Sequence, residues 1–123
     1  MSQASPLPTV DVTEAERRIR EDPARPVLLD VREMNEFTEV RAAGALLIPT
    51  STFATRVGEL PDDRPLFVIC RTGVRSAAVT GFLARSGRDD VANVAGGMEA
   101  WERAGLPVRR GPIEPGEGEL AAD

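Results

Sequence analysis

Short apolar runs recur along this chain of 123 residues, and none of them alternates with polar residues. A strand that is apolar at every position is buried on both faces, which is typical of a parallel sheet covered by helices. Segments of helical character separate the runs, so the chain predicts an α/β domain in three layers, with a mostly parallel sheet flanked by helices. The predicted strands are residues 27–31, 45–48, Leu66–Ile69 and Val91–Val94.

Composition divides the chain into three parts. Residues 1–8 are predicted to be a flexible lead, and residues 9–111 to form one domain of ordinary size. Residues 112–123 are rich in Glu, Gly and Pro, and they are predicted to be an acidic disordered tail.

Missing residue types exclude several kinds of chemistry. The chain has no His, Lys or Tyr, its 15 basic residues are all Arg, and it has one cysteine. A Ser-His-Asp or Cys-His pair, a Schiff-base or P-loop lysine and a histidine metal site are therefore impossible within one chain. One cysteine also allows neither an internal disulfide nor a cysteine-based zinc site, and we expect no metal and no cofactor.

Charge and hydropathy indicate which partners and which compartment to expect. A net charge of −5 argues against nonspecific binding of nucleic acid, whose phosphates need a basic surface. No apolar run approaches the roughly 20 residues that span a bilayer, so we expect no membrane association. The first residues lack the basic and apolar regions of a secretory signal, which predicts a cytoplasmic protein.

The single cysteine, Cys70, ends the most strand-like run and precedes a tight basic turn. Ligands of α/β domains bind beyond the carboxyl ends of their strands. Gly73 permits a backbone that points successive amides inward, and the helix predicted from Ser76 adds unpaired amides. Arg71 and Arg75 add two positive charges, so the turn predicts a thiolate with a pKa below that of free cysteine.

Each of these residues has a simpler interpretation. Cys70 could be a small hydrophobe at the end of a buried strand, and both arginines could be solvated loop charges. If Cys70 is ionised at neutral pH, however, it needs no general base. Attack on sulfur, with a stable anion such as sulfite leaving, suits a chain without histidine better than acyl transfer does.

Four segments resemble, in order, those of single-domain rhodaneses, which are sulfurtransferases. They read Asp-Val-Arg-Glu…Glu-Phe, Gly-Ala…Ile-Pro, Cys-x-x-Gly-x-Arg-Ser and Asn-x-x-Gly-Gly-x-x-x-Trp. They lie at residues 29–37, 44–49, 70–76 and 93–101. Trp101, at the end of the last segment, is expected to pack in the core.

The resemblance implies a five-stranded sheet and a sulfane sulfur carried on Cys70 as a persulfide. Its donor would be a small anion such as thiosulfate, and its acceptor cyanide, a thiol or a protein. The residues expected to bind the substrate are those of the loop, Arg71, Thr72, Gly73, Val74 and Arg75. The residues expected to support the loop are Asp30, Arg32 and Ser76.

The chain departs from the family at one segment. Rhodanese-like proteins usually have Gly-His-Ile before the Gly-Ala pair, whereas this chain has Val40, Arg41 and Ala42. Leu47 stands where the family often has Asn or His. Arg41 is expected to project either toward the pocket or into water, and the pocket's shape and substrate preference are expected to differ.

Two other functions suit the same fold. A dual-specificity phosphatase would place an arginine six residues after its cysteine, but that position is Ser76 here and the arginine is Arg75. The shorter loop should fit a sulfur atom better than a phosphate. The second alternative is a non-enzymatic persulfide carrier or interaction module, with the acidic tail available to a partner.

Overall fold

The computed structural model describes residues 7–120. Its strands are β1 (Thr9–Val10), β2 (Val27–Asp30), β3 (Arg41–Ala42), β4 (Leu46–Leu47), β5 (Leu66–Ile69), β6 (Val91–Val94) and β7 (Val108–Arg109). Its helices are α1 (Val12–Glu21), α2 (Met34–Glu39), α3 (Phe53–Arg56), α4 (Val74–Arg85) and α5 (Gly97–Arg103). None of the helices in this part of the chain is long and apolar enough to cross a membrane.

Five strands form one parallel sheet in the order β1–β6–β5–β2–β4. β5 is therefore the central strand, and the turn that follows it lies in the middle of one edge of the sheet. The two remaining strands, β3 and β7, form a separate antiparallel pair. The prediction of an α/β domain with a five-stranded, mostly parallel sheet is confirmed.

Helices cover both faces of the sheet because its strands are apolar on both faces. Leu28 and Phe67 point toward one face, in a core shared with α1, α2 and α5. Leu29 and Val68 point toward the other face, in a core shared with α3 and α4. Trp101 lies in the first core, as expected, and its indole nitrogen donates to a backbone carbonyl.

Some helices and strands of the structure differ from those predicted from the sequence. β1 was not predicted, since two residues are too short a run to detect. The short helix α3 has a 3₁₀ turn on each side, at Thr50–Thr52 and Val57–Glu59. α4 starts at Val74 rather than at Ser76, which shortens the turn after the central strand.

Arg41 projects neither toward the pocket nor into water, so both expectations for it are wrong. Its side chain is about 2 % exposed, and it forms an ion pair with Glu117 at 2.7 Å. The guanidinium also donates to the carbonyls of Phe37, at 3.2 Å, and Gly111, at 2.8 Å. A planar fork of five donors can satisfy so many acceptors at once, which makes the burial of this charge tolerable.

The predicted disordered tail is wrong for residues 112–120, which lie against the domain. Glu117 binds Arg41 through both carboxylate oxygens and Arg109 at 3.0 Å. Leu47 donates its amide to the carbonyl of Gly118, so this segment pairs with the edge strand β4. Residues 121–123 lie outside the described residues, so there the tail stays a prediction.

The predicted flexible lead falls mostly on residues 1–6, which lie outside the described residues. At the end of the lead, the carbonyl of Pro8 accepts a hydrogen bond from the amide of Asn93, at 2.8 Å. The chain therefore joins the sheet one residue before β1, slightly earlier than the predicted boundary at residue 9.

Arg41→Met should lower the free energy of unfolding by roughly 3 kcal/mol, because it leaves buried carbonyls and the Glu117 carboxylate short of a partner. The control is Arg110→Met, which removes an equally short but exposed ion pair with Glu102 and should cost less than about 1 kcal/mol. Urea denaturation of the two variants measures both values. Equal losses would show that the buried pair does not hold the C-terminal segment.

Candidate active site

Cys70 directly follows the central strand, and its side chain is buried. It packs in the apolar layer between the sheet and α4, together with Val68 and Val79. An aliphatic side chain could occupy this place equally well, so burial by itself agrees with the simpler interpretation of Cys70. The polar atoms around the sulfur distinguish it from an aliphatic group.

Two hydrogen bonds reach Sγ of Cys70 from the turn and α4. The amide of Gly73 donates at 3.1 Å and the hydroxyl of Ser76 at 3.2 Å. Gly73 has a φ of 105°, a conformation that favours glycine, and it lets α4 begin immediately afterwards. Burial raises the pKa of Cys70, but the Ser76 hydroxyl and the nearby amides of Ser76, Gly73 and Thr72 favour the thiolate and outweigh it, so the pKa is lowered.

The start of α5 holds the carbonyls of the loop away from the sulfur. The amide of Met98 donates to the carbonyl of Cys70 at 2.8 Å, and the amide of Glu99 donates to that of Arg71 at 3.0 Å. In a trans peptide the N–H points opposite to the C=O. Fixing the Arg71 carbonyl at α5 therefore turns the next amide, that of Thr72, toward the sulfur.

Gly97 permits this close approach of α5 to the loop. Its φ is 58°, and a Cβ at this position would lie 2.6 Å from the carbonyl carbon of Arg71. Such a distance is far inside van der Waals contact, so only glycine fits here without moving the loop. The sequence motif contained Gly97 without revealing this role.

Asn93 makes a similar contact from the end of β6. Its side-chain amide donates to the carbonyl of Gly73 at 3.2 Å, and the residue is buried. The same carbonyl accepts the first helical bond of α4, from Ala77. Asn93 thus links the sheet to the junction of loop and helix, another role that the sequence did not predict.

Arg75, on the first turn of α4, is bound by a carboxylate from α2. Its guanidinium donates to both oxygens of Glu36, at 2.7 and 2.8 Å. This bond is the main cause that lowers the pKa of Glu36 to about 2. It is also the main cause that raises the pKa of Arg75, to which attraction by Cys70 and by Asp30 adds. The sequence predicted Arg75 for the site and missed its partner.

Asp30 and Arg32 form a buried ion pair next to this group. Arg32 donates to both carboxylate oxygens of Asp30, the shortest of these bonds being 2.8 Å. It also donates to the carbonyls of Glu36 and Val40, at 3.3 and 2.7 Å. The pair therefore holds α2, which carries the carboxylate bound to Arg75, and any support that it gives to the Cys70 loop passes through that helix.

Three of the predicted substrate-binding residues lie on the exposed rim of the loop. Arg71 is 67 % exposed and makes an ion pair with Glu99 at 3.3 Å, as a solvated charge would. Thr72 is also exposed, and Val74 is 75 % exposed. Their contact with a substrate stays a prediction.

Comparison with known proteins decides the family. The model of the rhodanese-like domain matches residues 11–104. The chain belongs to the rhodanese-like domain family. It is 40 % identical over 82 residues to the thiosulfate sulfurtransferase GlpE of Actinobacillus succinogenes, a match that covers 67 % of this chain and 74 % of that protein. A sulfurtransferase of Allochromatium vinosum is 35 % identical over 67 % of this chain and 77 % of that protein.

Solved structures of rhodanese-like proteins have the same fold. A rhodanese-related protein from Thermoplasma volcanium superposes with a TM-score of 0.76 at 30 % identity, covering 83 % of this chain and 97 % of that one. A thiosulfate sulfurtransferase from Pseudomonas aeruginosa gives 0.75 at 26 % identity, covering 88 % of this chain and 21 % of that one. These relatives confirm the resemblance carried by the four sequence segments. They identify this rhodanese-like chain as a sulfurtransferase of the rhodanese type.

Gly97→Ala should displace the loop and slow alkylation of Cys70 by at least about tenfold at neutral pH, since the amides would no longer converge on the sulfur. Gly105→Ala is the control, because Gly105 also has a positive φ, of 71°, but has open space where the Cβ would go. Iodoacetamide kinetics on the two folded variants separate the clash from the backbone strain that they share. Equal rates in both would exclude Gly97 as the residue that positions the loop.

Proposed function

We propose that this protein moves a sulfane sulfur from a small anionic donor such as thiosulfate to cyanide or a thiol, through a persulfide on Cys70. The observation that carries the proposal is the pair of hydrogen bonds on Sγ, from Gly73 and Ser76, which favour the thiolate. Relatives named thiosulfate sulfurtransferase support the choice of donor.

Each half of the reaction is a displacement at sulfur. The Cys70 thiolate attacks the outer sulfur of thiosulfate, the S–S bond of thiosulfate breaks, and sulfite leaves with the electron pair. The acceptor then attacks the outer sulfur of the persulfide, and the Cys70 thiolate leaves. Charge balances in both halves and no proton needs to move. A chain without histidine can therefore catalyse both steps.

The donors that stabilise the thiolate would also stabilise a persulfide anion at the same place, because both species present a negatively charged sulfur to amides. Arg75 supplies the positive charge for an anionic donor, within the field already felt by Cys70. Glu36 keeps that guanidinium in position and competes with the donor for it. The ion pair therefore sets how tightly an anion binds.

The short loop favours sulfur over phosphate as the transferred group. Only Arg71, Thr72 and Gly73 separate Cys70 from α4. An aryl phosphate should accordingly not be hydrolysed. The cytoplasmic location and a thiol or a protein as the acceptor stay predictions of the sequence.

Incubation with thiosulfate should add the mass of one sulfur atom to the wild-type protein and nothing to Cys70→Ser, since Cys70 is the only thiol in the chain. Intact-protein mass spectrometry makes the measurement, and cyanide should then remove the added mass and release thiocyanate in a catalytic cycle. Loading followed by only a single turnover would identify a carrier instead of an enzyme. An unchanged wild-type mass would refute the persulfide.

Arg75→Gln should raise the KM for thiosulfate roughly tenfold to a hundredfold, the effect of losing a charge-assisted hydrogen bond worth about 1.5–3 kcal/mol. Arg17→Gln is the matched control, because Arg17 also pairs with a carboxylate but lies half exposed on α1, and it should change KM by less than about threefold. Steady-state kinetics with cyanide as the acceptor test both variants. Equal effects of the two substitutions would show that Arg75 does not bind the donor's anion.

A further inference from the structure

The arginines around the Cys70 loop already bind carboxylates. Among the described residues, three guanidiniums lie in the loop or next to it, and each forms an ion pair. The pairs are Arg75 with Glu36 at 2.7 Å, Arg32 with Asp30 at 2.8 Å and Arg71 with Glu99 at 3.3 Å. Because the charges of each pair cancel, an ionised Cys70 leaves this part of the molecule with a net negative charge.

Of these three arginines, Arg75 is the one placed to hold an oxyanion at the sulfur. Arg32 is only 3 % exposed, so a dissolved ion does not reach it. Arg71 is 67 % exposed, and water screens its charge. The side chain of Arg75 is 37 % exposed. Its pKa is raised first by Glu36 and then also by the negative charge of Cys70, so the field of this guanidinium extends to the sulfur.

Glu36 occupies the donors of Arg75 that an oxyanion would use. Both terminal nitrogens of the guanidinium donate to the carboxylate, at 2.7 and 2.8 Å. Paired donors of this kind suit a carboxylate and a tetrahedral oxyanion alike. The bond to Arg75 is the main cause that lowers the pKa of Glu36 to about 2, so the carboxylate is ionised at neutral pH. An oxyanion must therefore displace this charge or share the guanidinium with it, and its binding is weaker in both cases.

The first turn of α2 fixes the carboxylate in this position. Glu36 also accepts a hydrogen bond from the amide of Glu33, at 3.1 Å. The helix itself is held by Arg32, which donates to the carbonyls of Glu36 and Val40. A group fixed within the same molecule acts at a high effective concentration, which a dissolved anion has to match. The carboxylate is thus a permanent competitor for Arg75.

We propose that Glu36 is a specificity-determining residue, an internal competitor that excludes unreactive oxyanions such as sulfate and phosphate from Arg75 and displaces the product sulfite. This inference rests on the proposed sulfur transfer through Cys70. Sulfate and phosphate resemble the donor in charge and shape, but they have no S–S bond to break and can only block the thiol. Thiosulfate needs a short stay at Arg75, because it is committed once the thiolate takes its outer sulfur and sulfite leaves with the electron pair.

The same competition favours the release of sulfite. Sulfite forms where the oxygens of the donor were held, next to Arg75. A guanidinium without a partner would retain it there, and sulfite could then attack the persulfide and reverse the transfer. The return of both Glu36 oxygens to Arg75 displaces sulfite from this position.

Protection of Cys70 from iodoacetamide by sulfate measures this competition without any sulfur transfer. The full-length wild type and Glu36→Gln are alkylated at increasing sulfate, with chloride keeping the ionic strength constant, and each rate is divided by the same protein's rate without sulfate. Glutamine keeps an acceptor for Arg75 and for the Glu33 amide but loses the charge. The sulfate concentration that gives half-protection should be at least about tenfold lower in Glu36→Gln.

Two further variants locate the effect. Glu39→Gln removes the same charge from an exposed side chain of the same helix, and it should change the half-protection concentration by less than about threefold. Adding Arg75→Gln to Glu36→Gln should abolish the protection, because the guanidinium that holds sulfate is gone. An equal gain in Glu39→Gln, or protection that survives without Arg75, would overturn the proposal.

Steady-state kinetics distinguish a competitor from a residue that merely positions Arg75. If Glu36 competes, Glu36→Gln should lower both the KM for thiosulfate and the inhibition constant of sulfite roughly tenfold. Loss of a positioning residue would raise both constants instead, and that result would overturn the proposal.

The wild-type protein separates this inference from the function on which it rests. A wild type that gains no sulfur from thiosulfate would refute the proposed function, and the alkylation experiment would still measure the competition for Arg75. A wild type that gains sulfur, together with a Glu36→Gln variant that sulfate protects no better, would refute the role of Glu36 alone.

Discussion

The Cys70 sulfur lies among apolar side chains, where an ionised group without partners would be strongly disfavoured. Hydrogen bonds to a charged acceptor contribute about 1.5–3 kcal/mol each, and the donors from Gly73 and Ser76 act together with the other amides of the turn against that preference. Burial raises the pKa of Cys70 and the donors lower it, with the donors prevailing. The site works as long as those donors stay aimed at the sulfur.

Contacts from the neighbouring strand β6 and from α5, the helix that follows it, keep them there. The carbonyls of Cys70 and Arg71 are held by the first amides of α5, and the carbonyl of Gly73 is held by Asn93. Each of these contacts removes an acceptor from the vicinity of the sulfur and leaves the donors. The parallel sheet makes this possible, because the carboxyl ends of β5 and β6 lie side by side.

Two buried arginines stabilise the structure around this site. Arg32 and Arg41 together cap the carbonyls at the end of α2, where one guanidinium reaches the acceptors that the other does not. Both are buried and both have a carboxylate partner, as a buried charge requires. Since α2 also carries Glu36, the two buried arginines help to position the carboxylate that pairs with Arg75 beside Cys70.

The sequence predicted what depends on local pattern. Continuous apolar runs predicted the central strands, and the lone cysteine before Gly73 predicted the position of the site. Contacts between residues distant in sequence were not predictable in this way. Glu36 and Arg75 are 39 residues apart, and Arg41 and Glu117 are 76 apart, so no local pattern pairs them. Burial of an arginine also runs against its usual exposure, which is why Arg41 was expected at the surface or in the pocket.

The account depends most directly on the pKa of the Cys70 thiol. Its measurement from the pH dependence of iodoacetamide alkylation should give a value below that of free cysteine. In Ser76→Ala the value should rise, because one donor to the thiolate is lost while the burial remains. A wild-type pKa at or above that of free cysteine would contradict the account, since the sulfur would then be an ordinary buried thiol.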